Sequence, residues 1–145
     1  MTVHSATGGG LPPFSGLAPD QDLGELRLTI SAGANERYWR ATGADHPLLR
    51  AGTLYPPIAT NLTVLLFGQV CPKPVIQTRQ RLRCHRTAAA GTELVTRGRV
   101  TACYEKRGRA YVDVEAVVAT ADAPDDPLWT SAVSFTPAAT FGAAR

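Results

Sequence analysis

Hydrophobic and polar positions alternate through most of the chain, but one stretch breaks the pattern. Residues 24–30 place Leu26, Leu28 and Ile30 on one side and Glu25, Arg27 and Thr29 on the other, a half-buried strand. Ser31 can then cap a short helix over 35–42, where Tyr38, Trp39 and Ala41 can share a face and Gly43 ends it. Pro47, Gly52, Pro56 and Pro57 predict about a dozen residues without regular structure. Residues 58–68 are apolar nearly all round, which fits a buried helix or a buried strand. Pro57 at the start and Gly68 at the end favour the helix.

Alternation then resumes. Residues 75–86 and 93–106 read as strands, the second with Leu94, Thr96 and Gly98 facing one way and Val95, Arg97, Arg99 and Thr101 the other. Arg107-Gly108 makes a turn, with Gly108 supplying a positive φ. Residues 110–120 return with Val112, Val114, Ala116 and Val118 inward. A polar loop over 122–127 leads to a last strand at 129–136, ended by Pro137. A helix apolar all round must be wrapped on most sides. The prediction is an α+β fold: one domain over 24–136, with an antiparallel sheet of about five strands around one central helix. Residues 1–20, rich in Gly, Pro and Ser, form a flexible leader that Phe14 or Leu17 can tack to the surface, and 137–145 form a tail.

Composition narrows the class only a little. With 145 residues, 44% hydrophobic and 19% charged, the chain can bury a core without staples. A net charge of +3 is too small to argue for nucleic acid. Cys71, Cys84 and Cys103 are odd in number and lack metal-ligand spacing, which points to reduced thiols in a cytoplasmic protein. The start lacks a secretory pattern and no apolar run is long enough to span a bilayer. No metal and no cofactor are expected.

Several short segments carry a resemblance: Tyr38-Trp39-Arg40-Ala41-Thr42-Gly43, His46-Pro47-Leu48, Ala51-Gly52, Pro57-Ile58-Ala59, Gly91-Thr92-Glu93-Leu94, Gly98-Arg99-Val100 and residues 104–109. In this order and spacing they resemble the MaoC-like dehydratase/hydratase family of the hotdog fold, over roughly residues 24–136. Family members are similar to R-specific enoyl-thioester hydratases, which add water to, or remove it from, acyl-CoA or acyl-carrier-protein substrates. That chemistry needs a carboxylate and an imidazole on one water, and a backbone N–H at the central helix to polarise the thioester oxygen. The family motif Gly-Asp-x-Asn-Pro-x-His matches this chain at Gly43 and Pro47. Ala44 stands where the Asp belongs, His46 where the Asn belongs and Leu49 where the His belongs. The family's His-Gly at the helix start falls on Thr60 and Asn61. Shifting by one residue brings Asp45 into place but sets Arg50 against it, and Arg cannot serve as a base.

Three readings follow. The resemblance implies a non-catalytic subunit of a heteromeric enoyl-thioester hydratase or dehydratase, since some assemblies in the family pair a catalytic with a degenerate subunit. Alternatively Asp45 and His46 are catalytic residues of an altered dehydratase, cyclase or related enzyme, with Tyr55, Ile58, Thr60 and Asn61 binding substrate. The plainer account of the pair is that Asp45 turns the loop and His46 packs. The third reading is a basic binding module built on Arg79, Arg81, Arg83 and Arg86, on Arg97 and Arg99, and on Lys106, Arg107 and Arg109. A solvated outer face explains those stripes as well. The expected partners are an acyl thioester and a second copy or a second hotdog subunit, with neither nucleic acid nor membrane. Tyr104, Tyr111 and Trp129 read as sheet packing, and Cys84-His85 as structural.

Overall fold

The computed structural model describes residues 14–138. Five strands form one antiparallel sheet in the order β1-β3-β4-β5-β2. They are β1 (Asp22–Thr29), β2 (Val75–Cys84), β3 (Glu93–Lys106), β4 (Arg109–Thr120) and β5 (Pro127–Pro137). Three helices lie between β1 and β2: α1 (Ala32–Ala41), α2 (Pro47–Arg50) and α3 (Ile58–Gly68). The expected α+β arrangement is present, with 58–68 forming the expected central helix.

The α3 helix packs on one face of the sheet. Its side chains separate two layers of core. Towards its C-terminal end, Leu66 and Phe67 pack with Val100, Val112, Val114, Val133 and Phe135, and the Phe67 and Phe135 rings stack 4.4 Å apart. Towards its N-terminal end, Ile58, Ala59 and Leu62 meet Leu54, Leu94, Val118 and Trp129. Polar contacts anchor it as well. The Thr63 hydroxyl donates to the Ala59 carbonyl (3.0 Å) and lies 3.1 Å from the Ser131 hydroxyl, which can donate to it. The Thr60 hydroxyl accepts from the Gln80 amide of β2. The wrapping is incomplete: Asn61, Leu65 and Gly68 form an exposed stripe on the back of the helix.

Gly98 sets how closely α3 approaches. A Cβ there would sit 2.9 Å from Leu66 Cδ2 and 2.8 Å from the Glu115 carbonyl oxygen. Glycine in this strand interior therefore marks a close approach rather than a turn. The inward row Leu94, Thr96, Gly98 is the one the alternation predicts. Val100 continues that row, and a bulge between Val100 and Ala102 then reverses the alternation, placing Ala102 opposite Asp113 on the outer face.

The structure revises several boundaries. The region after Gly43 is not irregular throughout, because Pro47 at the first helical position and His46 as its cap start the short α2. The α1 helix begins at Ala32, with Ser31 accepting from the Ala34 amide as predicted. The β3–β4 turn places both Arg107 (φ 52°) and Gly108 (φ 73°) in the left-handed region, the two-residue turn that suits hairpin twist. The part of the predicted leader within the described residues docks on the fold. Phe14 and Leu17 pack on the core layer around Phe67, and the Asp20 amide donates to the Val100 carbonyl (2.8 Å). At the opposite edge of the sheet from β2, Glu25 of β1 receives Arg97 (2.8 Å) and Arg27, which hold its carboxyl below the usual carboxylate range.

The Gly98 contact makes a test of the helix approach. Alanine in place of glycine normally stabilises a chain that can accept it. Here Gly98→Ala is expected to destabilise by about 1–3 kcal/mol and lower Tm by several degrees. Thermal denaturation followed by circular dichroism reads the sign directly.

Candidate functional site

The segment between α1 and α3 is built on one buried amide. Asn35 lies a turn before Trp39 on α1, so both side chains reach the same side. The Asn35 Nδ2 donates to the Thr53 carbonyl (2.9 Å), and its Oδ1 accepts from the Tyr55 amide (2.8 Å). The Trp39 Nε1 donates to the same Thr53 carbonyl (2.8 Å). Residues 52–54 also pair with 88–90: the Leu54 amide donates to Ala88 and the Ala90 amide to Gly52, each at 2.8 Å. These bonds hold the loop from Gly52 to Tyr55 between the helix and the crossover into β3.

An aromatic cluster grows from Trp39. The His46 ring stacks on it (5.9 Å between centroids, 12° between planes), Tyr55 meets it edge-on (5.0 Å), and Tyr38 stacks on Tyr55 (6.4 Å). His46 is also the cap of α2, its Nδ1 accepting from the Leu48 amide (3.1 Å). Asp45 turns the other way. Its exposed carboxylate pairs with Arg50 at 2.9 Å. The two adjacent residues thus have separate partners and do not bond to each other.

Beside this cluster is an open cleft of ≈ 450 Å³. Ala44, Asp45, Leu49 and Arg50 line one wall, and Asn35 with the Glu36–Arg40 ion pair (2.6 Å) lines the other. Ala44 and Leu49, the two positions where the resemblance calls for an acid and a base, therefore do share one cleft, and neither side chain can transfer a proton. The other candidates lie elsewhere. His46 and Tyr55 belong to the aromatic cluster. Ile58 is buried in the core, and Thr60 is buried against Gln80. Asn61 is exposed on the back of α3.

The start of α3 has its first donors engaged. Pro57 has no N–H to offer, and the amides of Ile58, Ala59 and Thr60 donate to the carbonyls of Tyr55, Pro56 and Pro57, each at 3.1 Å. Tight turns of this kind leave these three N–H groups directed at the chain's own carbonyls rather than at a ligand.

The basic stripes divide by environment. Arg97 and Arg99 of β3 are paired, the first with Glu25 and the second with Asp20 (3.5 Å) and Glu115 (3.8 Å). Arg79, Arg81 and Arg83 of β2 lie on the outer face, opposite Ser134, Ala132 and Thr130 of β5. Among the described residues none of these three has a carboxylate within ion-pair distance. Tyr104 and Tyr111 stack across the β3–β4 pair (5.4 Å), the packing role expected of them. Burial, then the neighbouring Asp113, pushes the Tyr104 phenol up, and its hydroxyl donates to Asp113 (3.1 Å). Among the described residues no cluster of His, Cys, Asp and Glu could hold a metal ion, and no helix is long and apolar enough to cross a membrane. All three cysteines are free thiols, with Cys71 buried and Cys84 and Cys103 exposed.

The sequence matches no protein-family model and no curated protein. Solved structures do match. One is a chain of the C-terminally truncated HadBC (3R-hydroxyacyl-ACP dehydratase) complex from Mycobacterium tuberculosis, with a TM-score of 0.69 at 16% identity, covering 81% of this chain and 96% of that one. Another is the (R)-hydratase from A. caviae involved in PHA biosynthesis, at TM-score 0.69 and 17% identity over 83% and 97% of the two chains. A third is the MaoC-like dehydratase from Rhodospirillum rubrum, at TM-score 0.65 and 15% identity over 88% and 97%. This is the hotdog fold. The hotdog sheet and its α3 helix are thus shared with MaoC-like dehydratases and R-hydratases at identities low enough that the backbone alone carries the likeness.

Sequence reasoning missed Asn35 and Trp39 as the organisers of this region. The available signal was a polar residue one turn before a tryptophan on a short helix, which marks a shared partner on that face.

Two substitutions separate scaffold from chemistry. Asn35→Ala leaves the Tyr55 amide without its acceptor, and is expected to cost about 2–3 kcal/mol in a urea unfolding curve. Asp45→Ala removes only an exposed ion pair, and should stay within about 1 kcal/mol of the wild type in the same measurement.

Proposed function

We propose that this chain is the non-catalytic member of a heteromeric hotdog hydratase or dehydratase that acts on an acyl thioester, carried on CoA or an acyl carrier protein. The observation that carries this reading is the pair Ala44 and Leu49 lining one cleft where the resemblance calls for an acid and a base. A methyl and an isobutyl group leave no proton donor at either position. The engaged amides at the start of α3 support the same reading, because a polarising N–H for the thioester oxygen is part of the active machinery. The likeness to a chain from a 3R-hydroxyacyl-ACP dehydratase complex fits a subunit that works beside another. Three free thiols fit a reducing, cytoplasmic setting.

Asp45 supports the second reading, an altered enzyme. It lines the cleft and its carboxylate is largely exposed. On that reading Asp45 and His46 carry out acid/base or cyclising chemistry, with Tyr55, Ile58, Thr60 and Asn61 as the substrate-binding surface. His46 must then leave its cap on α2 before its Nδ1 can act on a substrate.

The isolated chain is expected to show no hydration of crotonyl-CoA or of a longer enoyl-CoA, measured by loss of enoyl absorbance, while binding a long-chain acyl-CoA saturably in calorimetry. Robust hydration by the purified chain would sink the subunit reading. Turnover that Asp45→Ala abolishes without lowering Tm would install the altered enzyme in its place.

A further inference from the structure

Hollows on the outer face of the sheet, away from α3, differ in charge. In one, Arg97 and Arg99 of β3 share the wall with Asp20, Glu25 and Glu115. In another, Arg81 and Arg83 of β2 share it with Glu115. A further hollow of ≈ 460 Å³, beside the β3–β4 turn, has no carboxylate in its wall. Arg79 of β2 and Lys106, Arg107 and Arg109 of the hairpin line it together with Tyr104 and Tyr111. Among the described residues, Arg79, Lys106 and Arg107 have no carboxylate within ion-pair distance. Cations gathered in one hollow repel one another, and a bound anion relieves that repulsion.

Local structure holds these parts in place. A bulge between Gln77 and Arg79 sets Arg79 opposite Ser134, on the outer face. The Tyr104 ring stacks on Tyr111 (5.4 Å between centroids, 11° between planes), and its hydroxyl donates to Asp113 (3.1 Å). The Ser134 hydroxyl donates to the same Asp113 oxygen (2.7 Å). Asp113 is thus taken up by two hydroxyl donors and the Tyr104 ring is fixed, yet Tyr104 stays 40% exposed. Arg107 is the odd residue of the turn. It stands at φ 52°, where a two-residue hairpin turn favours Asn, Asp or Gly. A cation occupies that position against the preference of the backbone, a departure of the kind that accompanies a functional site.

Clustered cations select an anion of several charges, and an open tyrosine face adds to the binding of a planar ring. A nucleoside diphosphate joins both in one molecule. The cations gather around one turn and one strand end rather than along a track, and the volume falls among those of small-ligand sites (roughly 300–1,000 Å³), so the hollow suits one nucleotide and not a strand of nucleic acid. We propose that this hollow binds a nucleoside diphosphate moiety, with the base on Tyr104 and the phosphates among Arg79, Lys106, Arg107 and Arg109. The site is separate from the cleft beside α1. The 14 residues of β3 lie between the turn and Ala90 of that cleft, about 40 Å of strand. Binding here is therefore independent of how the cleft acts.

Calorimetry with ADP, GDP, adenosine and pyrophosphate reads each part. ADP and GDP should bind alike and saturably, with adenosine and pyrophosphate each about tenfold weaker or more. Amide shifts in NMR should centre on Arg79 and the β3–β4 turn. Arg107→Asn separates binding from folding, because Asn suits the turn: Tm should hold or rise while ADP binding weakens about fivefold or more. Tyr104→Leu should weaken ADP about tenfold and pyrophosphate far less. Should that variant fail to fold, Arg107→Asn carries the comparison. Coenzyme A tests the source of the moiety: shifting the turn amides at lower concentration than ADP assigns a cofactor's nucleotide end, at higher concentration a free nucleotide, and both uphold the site. Pyrophosphate binding as tightly as ADP overturns the proposal in favour of a plain charged patch. So does ADP binding that Arg107→Asn leaves unchanged, and so does the absence of ADP binding at millimolar concentration. A single-stranded oligonucleotide that shifts the same amides at lower concentration than ADP overturns it as well.

Discussion

The close approach of α3 to β3 at Gly98 is the constraint on which the rest of the structure depends. Leu66 sits where any side chain on residue 98 would stand. That contact brings the helix onto the sheet, and the two core layers then close on either end of it. A helix with so much apolar surface is stable here only because the sheet covers it. The edge strand is tied in from the other side by Gln80 and Thr60. The geometry of the cleft, the aromatic cluster and the exposed β2 edge all follow from where this helix lies.

The second level of organisation is the loop ahead of α3. Asn35 and Trp39 share one carbonyl, and Asn35 also holds the Tyr55 amide. These are satisfied polar groups in a largely buried place, so the loop is held in one conformation. The rigidity matters for chemistry because Tyr55-Pro56-Pro57 then supplies the carbonyls that occupy the first amides of α3. A helix start that could have offered donors to an oxyanion is turned in on itself. Ala44 and Leu49 line the cleft beside it, where the resemblance calls for an acid and a base, and the carboxylates that remain in the cleft, Asp45 and Glu36, are each held in an ion pair.

Asp45 and His46 show why adjacency in sequence is weak evidence of a joint role. His46 ends in a cap and a ring stack, and Asp45 ends in an exposed ion pair. Successive residues in extended backbone point to opposite sides, so neighbours in a loop are easily separated. The arginines are the converse case. Arg79, Arg81 and Arg83 are two apart and do lie together, but whether they are paired or free depends on strand order, which the alternation alone does not contain. Arg97 and Arg99 have the same spacing and find carboxylates on β1, β4 and the segment before β1.

Local pattern determined the elements of this protein. Period-two alternation placed four strands to within a few residues and set Leu94, Thr96 and Gly98, with Val112, Val114 and Val118 of β4, on the inner face. Proline and glycine marked both ends of α3 and the β3–β4 turn. Ala44 and Leu49, at the positions where the resemblance calls for an acid and a base, were legible too. Tertiary structure alone decided the rest. It buried the 58–68 helix, since so apolar a run is stable only where a sheet covers it. It turned Pro47 into the start of α2 rather than a break, through the His46 cap. It also placed β2 at the edge, where three evenly spaced arginines become an unpaired outer row, because strand order depends on which chain segments meet and not on the pattern within any one of them.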